Sequence, residues 1–357
     1  MLYKDDWEYA KGKFIEYWEK ENHDRPLVSV VAPRDGCKPG EIKAPEKLID
    51  RWMDIEYVIQ NARERFRTTY YGGEAFPCFW PNLGPDILGA ILGWCDLEFG
   101  ESTSWAVHNL HRWEEIEVLD FNPWNKWWKK MEEMTMAAVT DSKGDYFVGL
   151  TDLHSGMDAL VSLRGPENLC LDLMDYPDRV KKATFEIFEV FKQVYDRLHE
   201  ITTRNMPGSS TWLGVWHPGK WYPTSSDFIC LISGDMFAEF VLPELEEEIR
   251  WLDASIFHLD GPGAIRHLDT LLSIPGLKGI QWVPGAGKPG ASHWIPLLKK
   301  IQDAGKLINI STEREEIDVL LEELMPEGVM YHTWCKSEED ARDLLKKAEK
   351  SYKKKIY

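Results

Sequence analysis

The chain has 357 residues, a length that suits one α/β barrel or two smaller domains, and 43% of it is hydrophobic, enough for a large core. Sixty acidic against 42 basic side chains leave a net charge of −18, and the densest basic cluster is confined to Lys346–Lys355, so recognition of nucleic-acid phosphates is disfavoured. No apolar leader opens the sequence, no run of 18 apolar residues interrupts it, and six cysteines (Cys37, Cys78, Cys95, Cys170, Cys230, Cys335) stand singly without a C-x-x-C pair; the expectation is a cytoplasmic protein with reduced thiols and no membrane span.

Residues 4–24 carry Trp7, Ala10, Phe14 and Trp18 at helical spacing and stop before Arg25-Pro26, which predicts an N-terminal helix within residues 1–25. Leu27–Val31 is a β-branched run and the first expected strand. A loop with Pro and Gly (33–45) and an amphipathic helix near 46–66 follow. Further apolar runs bounded by turn residues predict strands at Phe76–Trp80, Tyr146–Thr151, Thr211–Trp216, Ala254–Leu259, Leu277–Val283, Leu307–Ile310 and Val329–His332. Helical patterns lie between most of them, at Asp178–Ile201, Phe237–Trp251, Trp294–Ala304 and Glu313–Leu324. Eight strands alternating with helices predict an α/β protein of the (β/α)8 TIM-barrel class, one domain over 1–357 with an N-terminal helical extension; residues 85–135, rich in Trp and Gly, read as helices and loops inserted near the barrel mouth.

In such a barrel the chemistry sits at the C-terminal strand ends. There the fifth run reads Ser255-Ile256-Phe257-His258-Leu259-Asp260-Gly261-Pro262-Gly263, and alternation aims His258 and Asp260 at one face. With Cys335, which ends the last run, they form an N/O/S donor set of the kind that holds zinc with one position open. A His and an Asp at a strand end serve equally well as a hydrogen-bonded cap for the next helix.

Three more polar groups fall at expected strand ends, and a fourth lies within a strand. Asp152 and His154 suit acid–base work or orientation of a substrate hydroxyl, or else cap the following helix. His217 follows the fourth run as a donor, with a solvated loop histidine as the plainer reading. Gln281, inside an apolar strand, needs a partner. Of 17 tryptophans, Trp80, Trp105, Trp212, Trp216, Trp221, Trp282 and Trp334 flank the expected rim, where indoles either box a quaternary ammonium or methoxylated ring, or simply pack. Val283–Gly290 lacks the G-x-x-x-x-G-K-[ST] spacing of a phosphate loop, and no dinucleotide fingerprint, nucleophile elbow or H-E-x-x-H occurs; redox, hydrolase and metalloprotease readings lose support.

Phe147–Asp178, with Gly149-Leu150, Leu169-Cys170-Leu171-Asp172-Leu173-Met174 and Tyr176-Pro177-Asp178, resembles the central segment of the uroporphyrinogen decarboxylase superfamily. So do Asp227 with Ile229–Ser233, Phe240-Val241-Leu242-Pro243-Glu244, and His258-Leu259-Asp260-Gly261, a likeness that spans about residues 20–350. The resemblance implies a (β/α)8 barrel and one of two chemistries, cofactor-free decarboxylation of a porphyrinogen or methyl transfer to or from a corrinoid with zinc. The decarboxylases' arginine-rich R-Q-A-G-R segment is replaced here by Val31-Ala32-Pro33-Arg34-Asp35-Gly36, which disfavours the first.

The methyltransferase branch implies a zinc motif of His-x-Cys with a second Cys seventy-odd residues on. Here it corresponds to His258, Asp260 and Cys335, the last two 75 positions apart, with a carboxylate replacing a thiolate. Oxygen donors make zinc the better Lewis acid and disfavour a thiol as methyl acceptor. The resemblance also marks Asp227 as a loop acid at the substrate, although Ser225-Ser226-Asp227 is an ordinary helix-start signal. The expectation is a methyltransferase that takes a methyl group from a small O- or N-methylated compound to a corrinoid (cobalamin) partner protein. In it zinc sits on His258, Asp260 and Cys335; Asp152, His154, His217 and Gln281 act on the substrate; and Trp80, Trp212, Trp216, Trp282, Trp334 and Asp227 bind it. The alternatives are a cofactor-free decarboxylase or lyase and a non-catalytic ligand-binding barrel.

Overall fold

Eleven strands organise residues 1–353, the part described by the computed structural model. They are β1 (Leu27–Pro33), β2 (Thr69–Gly73), β3 (Cys78–Phe79), β4 (Cys95–Phe99), β5 (Ser104–His108), β6 (Phe147–Val148), β7 (Trp221–Ser225), β8 (Ala254–Asp260), β9 (Gly279–Val283), β10 (Leu307–Ser311) and β11 (Val329–Trp334). Seven join one sheet in the order β2-β1-β11-β10-β9-β8-β7, parallel throughout except for β2, which runs antiparallel to β1 at the edge. Helices Leu268–Ser273, Ile295–Asp303 and Ile317–Glu323 fill the successive crossovers from β8 to β11. β3 and β6 form a separate parallel pair, and β4 and β5 a hairpin. The architecture is mixed α/β with a large, mainly parallel sheet, compatible with a TIM-barrel-like fold. Among the described residues no helix is long and apolar enough to cross a membrane.

Departures from expectation follow local chemistry. The N-terminal helix is Trp7–Glu19, shorter than 4–24, because Lys20 turns left-handed at φ 60° and ends it. Thr211–Trp216 is not a strand. Gly208 and Gly214, both at positive φ, fold the segment back so that Ser209 pairs antiparallel with His217, and Pro218-Gly219 turns the chain into β7 instead. The runs at Phe76–Trp80 and Tyr146–Thr151 contract to the two-residue strands β3 and β6. Residues 85–135 hold, besides the expected helices and loops, the β4–β5 hairpin.

Alternation along the strands creates two unlike faces. Val28, Val30, Phe257, Leu259, Ile280, Trp282, Ile308 and Ile310 point outward into the main core beneath the helices. On the other face, Leu27, Ile256, Leu307 and Met330, near the strand starts, meet Phe14, Tyr17 and Trp18 of the N-terminal helix, which closes that end. Two residues further along that second face the side chains become polar: Ile256 is followed by His258, Gly279 by Gln281, Leu307 by Asn309 and Met330 by His332. The register aligns Ser225 with His258, His258 with Gln281, and Gln281 with Asn309, so the polar layer is continuous across four strands.

A buried ion pair fastens the first strands. Arg25 donates from Nη2 to Glu74 Oε1 at 2.6 Å and from Nη1 to Oε2 at 3.0 Å, and Glu74 Oε2 also accepts from Val28 N at 2.8 Å. Both side chains are almost fully buried. Arg25→Met leaves the Glu74 carboxylate uncompensated and is expected to cost about 3–5 kcal/mol in denaturant unfolding, most of it recovered in the Arg25→Met/Glu74→Leu double variant.

Candidate metal and substrate site

At the C-terminal end of β8, His258 and Asp260 point to the polar face, and Asp227, at the start of the single-turn helix Asp227–Leu231 after β7, reaches in from the side. One ligand atom from each of Asp227, His258 and Asp260 lies within 4.8 Å of the other two. His258 Nδ1 donates to Gln281 Oε1 at 2.6 Å, which leaves the Nε2 lone pair free. That is the arrangement by which a neighbouring acceptor fixes a metal-binding imidazole. The indole of Trp212 packs edge-on against the same ring, centroids 5.4 Å apart at 86°. One nitrogen and two carboxylate oxygens with an open side fit a divalent ion such as zinc in a site that keeps a place for substrate.

Asp158 holds the Asp227 loop in position. Its Oδ2 accepts from Asp227 N at 2.9 Å and its Oδ1 from Phe228 N at 3.1 Å. Although Asp227 is itself exposed, local desolvation, followed by the like charge of Asp158, pushes its carboxyl above the usual carboxylate range. Asp158 also faces His154 Nδ1 at 3.4 Å, where Ser225 Oγ lies at 3.1 Å, and Asp152 Oδ1 sits 2.9 Å from His154 Nε2. Burial works against charging His154, but the two carboxylates outweigh it and hold the imidazole protonated well above its ordinary range. Behind this cluster Ser155 Oγ donates to Glu244 Oε1 at 3.1 Å, and burial raises the Glu244 carboxyl to about 8.

A cavity of about 350 Å³ opens beside these groups, lined by Asp86, His154, Asp158 and Asp227 with Val161, Phe228, Leu231 and Cys230. Cys230 Sγ lies 3.6 Å from the Asp260 carbonyl oxygen, so the cavity and the three-residue cluster share a wall.

Several residues singled out from sequence lie elsewhere. Cys335 is outside the cluster: it is buried beside Asp340, and burial first, then that carboxylate, raises its thiol to about 11, which disfavours the thiolate a metal requires. His217 lies at the strand-start end, its ring edge-on to Trp18 and its Nδ1 accepting from Gly219 N, because the expected strand before it doubles back. Trp216 and Trp221 belong to the core against the N-terminal helix, and Trp282, outward next to inward Gln281, packs on Trp294 at 4.9 Å. Trp80 lines a different surface cavity with Arg65 and Asn61, Trp105 is exposed on the hairpin, and Trp334, the last residue of β11, is exposed. Of the seven indoles, Trp212 is the one that touches the cluster.

Sequence reasoning passed over Asp158, Asp86, Cys230, Asn309 and His332. The His154–Asp158 spacing of four across a helix start was a usable signal, and so was His332, polar in an apolar strand as Gln281 is. Asn309 Nδ2 donates to His332 Nε2 at 3.0 Å, and burial lowers His332 to about 4, so it is a neutral acceptor on the inner face.

No family model matches the chain, and no curated protein matches it in sequence. Among solved structures, a methyltransferase from Methanosarcina mazei aligns with a TM-score of 0.62 over 96% of this chain and 99% of that one, at 12% identity. At that identity the likeness is one of fold.

Gln281→Leu removes the acceptor that orients His258. It is expected to lower the affinity for a divalent ion about 10–100-fold with the melting temperature little changed, as measured by competition with a chromogenic chelator.

Proposed function

We propose that this chain is a metal-assisted methyltransferase that removes a methyl group from a small O- or N-methylated compound and passes it to the Co(I) corrinoid of a partner protein. The observation that carries this reading is the convergence of Asp227, His258 and Asp260 on one point beside a substrate-sized cavity. The fold shared with the Methanosarcina mazei methyltransferase, and the sequence resemblance to the methyltransferase branch of the uroporphyrinogen decarboxylase superfamily, support it. On this reading the strands close into a (β/α)8 barrel, the chain is one domain, and it works in the cytoplasm.

Asp227, His258 and Asp260 would hold zinc, which as a Lewis acid lowers the cost of the charge left on the departing oxygen or nitrogen. The remaining work belongs to side chains. Gln281 keeps His258 in the tautomer that presents Nε2. Trp212 packs against that ring and limits its rotation. His154, kept protonated by Asp152 and Asp158 on the cavity wall, places a fixed positive charge beside the departing group. The apolar side chains of Val161, Phe228 and Leu231 displace water around the methyl group.

Elemental analysis of the purified protein is expected to find about one zinc, retained in Cys335→Ser and lost in His258→Ala and Asp260→Ala. Zinc-loaded protein incubated with Co(I) cobalamin and methoxylated or methylamino compounds should form methylcobalamin, read at its visible absorption, and a chelator should stop it. A protein that binds no zinc, or one in which Cys335→Ser alone strips the metal, contradicts the assignment.

A further inference from the structure

The polar lining of the cavity is nearly all hydrogen-bond acceptor. Asp86, Asp158 and Asp227 present carboxylates, and no lysine or arginine lines it. His154 is the cationic group there, and both its nitrogens are directed at Asp152, Asp158 and Ser225. Ser162, which also lines the cavity, gives its hydroxyl proton to Asp86 Oδ1 at 2.5 Å. A divalent ion on Asp227 and Asp260 would balance their two charges, yet Asp86, Asp152 and Asp158 would still face the single charge of His154.

Asp86 occupies the N-cap position of helix Ile87–Leu92, where a carboxylate ordinarily accepts from the helix backbone, but its side chain makes no capping bond. It turns instead to Ser162 and the cavity. Among the described residues no group donates to its second oxygen, which is open to solvent or to a ligand in the cavity.

We infer that this cavity selects methyl compounds that bring a hydroxyl or ammonium donor and carry no carboxylate, with Asp86 as the specificity-determining residue. The inference rests on the methyl-transfer reading for the group transferred, but the selectivity itself is a property of binding. A donor on the ligand satisfies the Asp86 oxygen that a methyl group would leave unpaired. An acid would set like charges together in a partly desolvated space. In the transfer the carbon–oxygen bond would break with its electron pair staying on oxygen, the methyl carbon would bond to the electron pair of the partner's Co(I), and the oxygen would take a proton from water.

The test is calorimetric binding to zinc-loaded protein of a series that differs only opposite the methoxy group: 4-methoxybenzylamine, 4-methoxybenzyl alcohol, 4-methoxytoluene and 4-methoxybenzoate. Affinity should fall in that order, with the amine about 10-fold or more tighter than the toluene. Asp86→Asn should erase most of that advantage while zinc content stays at one. Equal or tighter binding of the benzoate, no measurable binding of the amine and alcohol, or an unchanged ranking in Asp86→Asn overturns the inference. If that variant does not fold, the wild-type ranking alone decides. Methylcobalamin formation is scored in parallel on the same compounds. The predicted ranking without any methyl transfer sinks the proposed reaction and leaves the selectivity standing; transfer from the benzoate as readily as from the amine does the reverse.

Discussion

Asp158 accepts from the backbone of Asp227 and Phe228 and faces Ser225 and His154, so one carboxylate ties the loop after β7 to the start of the helix Gly156–Arg164. Without that tie Asp227 would sit on a short, partly exposed loop, free to swing away from His258 and Asp260. The same carboxylate shares the charge of His154 with Asp152. The cluster of Asp227, His258 and Asp260 and the His154 wall of the cavity are therefore both tied to a single anchored side chain, which itself lines the cavity.

The anchor works because the sheet delivers its partners in register. Apolar inner-face residues at the strand starts pack on the N-terminal helix and close that end, and two residues later a half-buried polar layer follows as two hydrogen-bonded pairs, His258 with Gln281 and Asn309 with His332. Polar groups so placed cost stability unless paired, so the layer fixes which ring nitrogen of His258 is free. Buried neutral His332 extends that layer beneath the site without adding charge.

Much of this was legible in the sequence. The alternation of β-branched runs with helical patterns gave the parallel strands from β8 to β11, and the period of two along β8 gave the shared aim of His258 and Asp260. The need of a buried Gln281 for a partner was readable too, and the partner is His258. What could not be read was long-range. Asp227 reaches the cluster because a loop is pinned by a residue 69 positions earlier, whereas Cys335, apt by spacing, is turned toward Asp340. The strand expected at Thr211–Trp216 failed because two glycines at positive φ outvoted its apolar run, and His217 went with it to the opposite end. Of the seven tryptophans singled out, Trp216, Trp221 and Trp282 are core packing, Trp282 because its neighbour Gln281 takes the inward face.

The central claim is that Asp227, His258 and Asp260 hold one divalent ion. Diffraction from crystals of the zinc-loaded protein at the zinc absorption edge tests it directly. The account predicts one anomalous peak at bonding distance, about 2.0–2.2 Å, from a carboxylate oxygen of Asp227, Nε2 of His258 and a carboxylate oxygen of Asp260, with Cys335 unliganded. No peak there, or a peak bonded to Cys335, would contradict it.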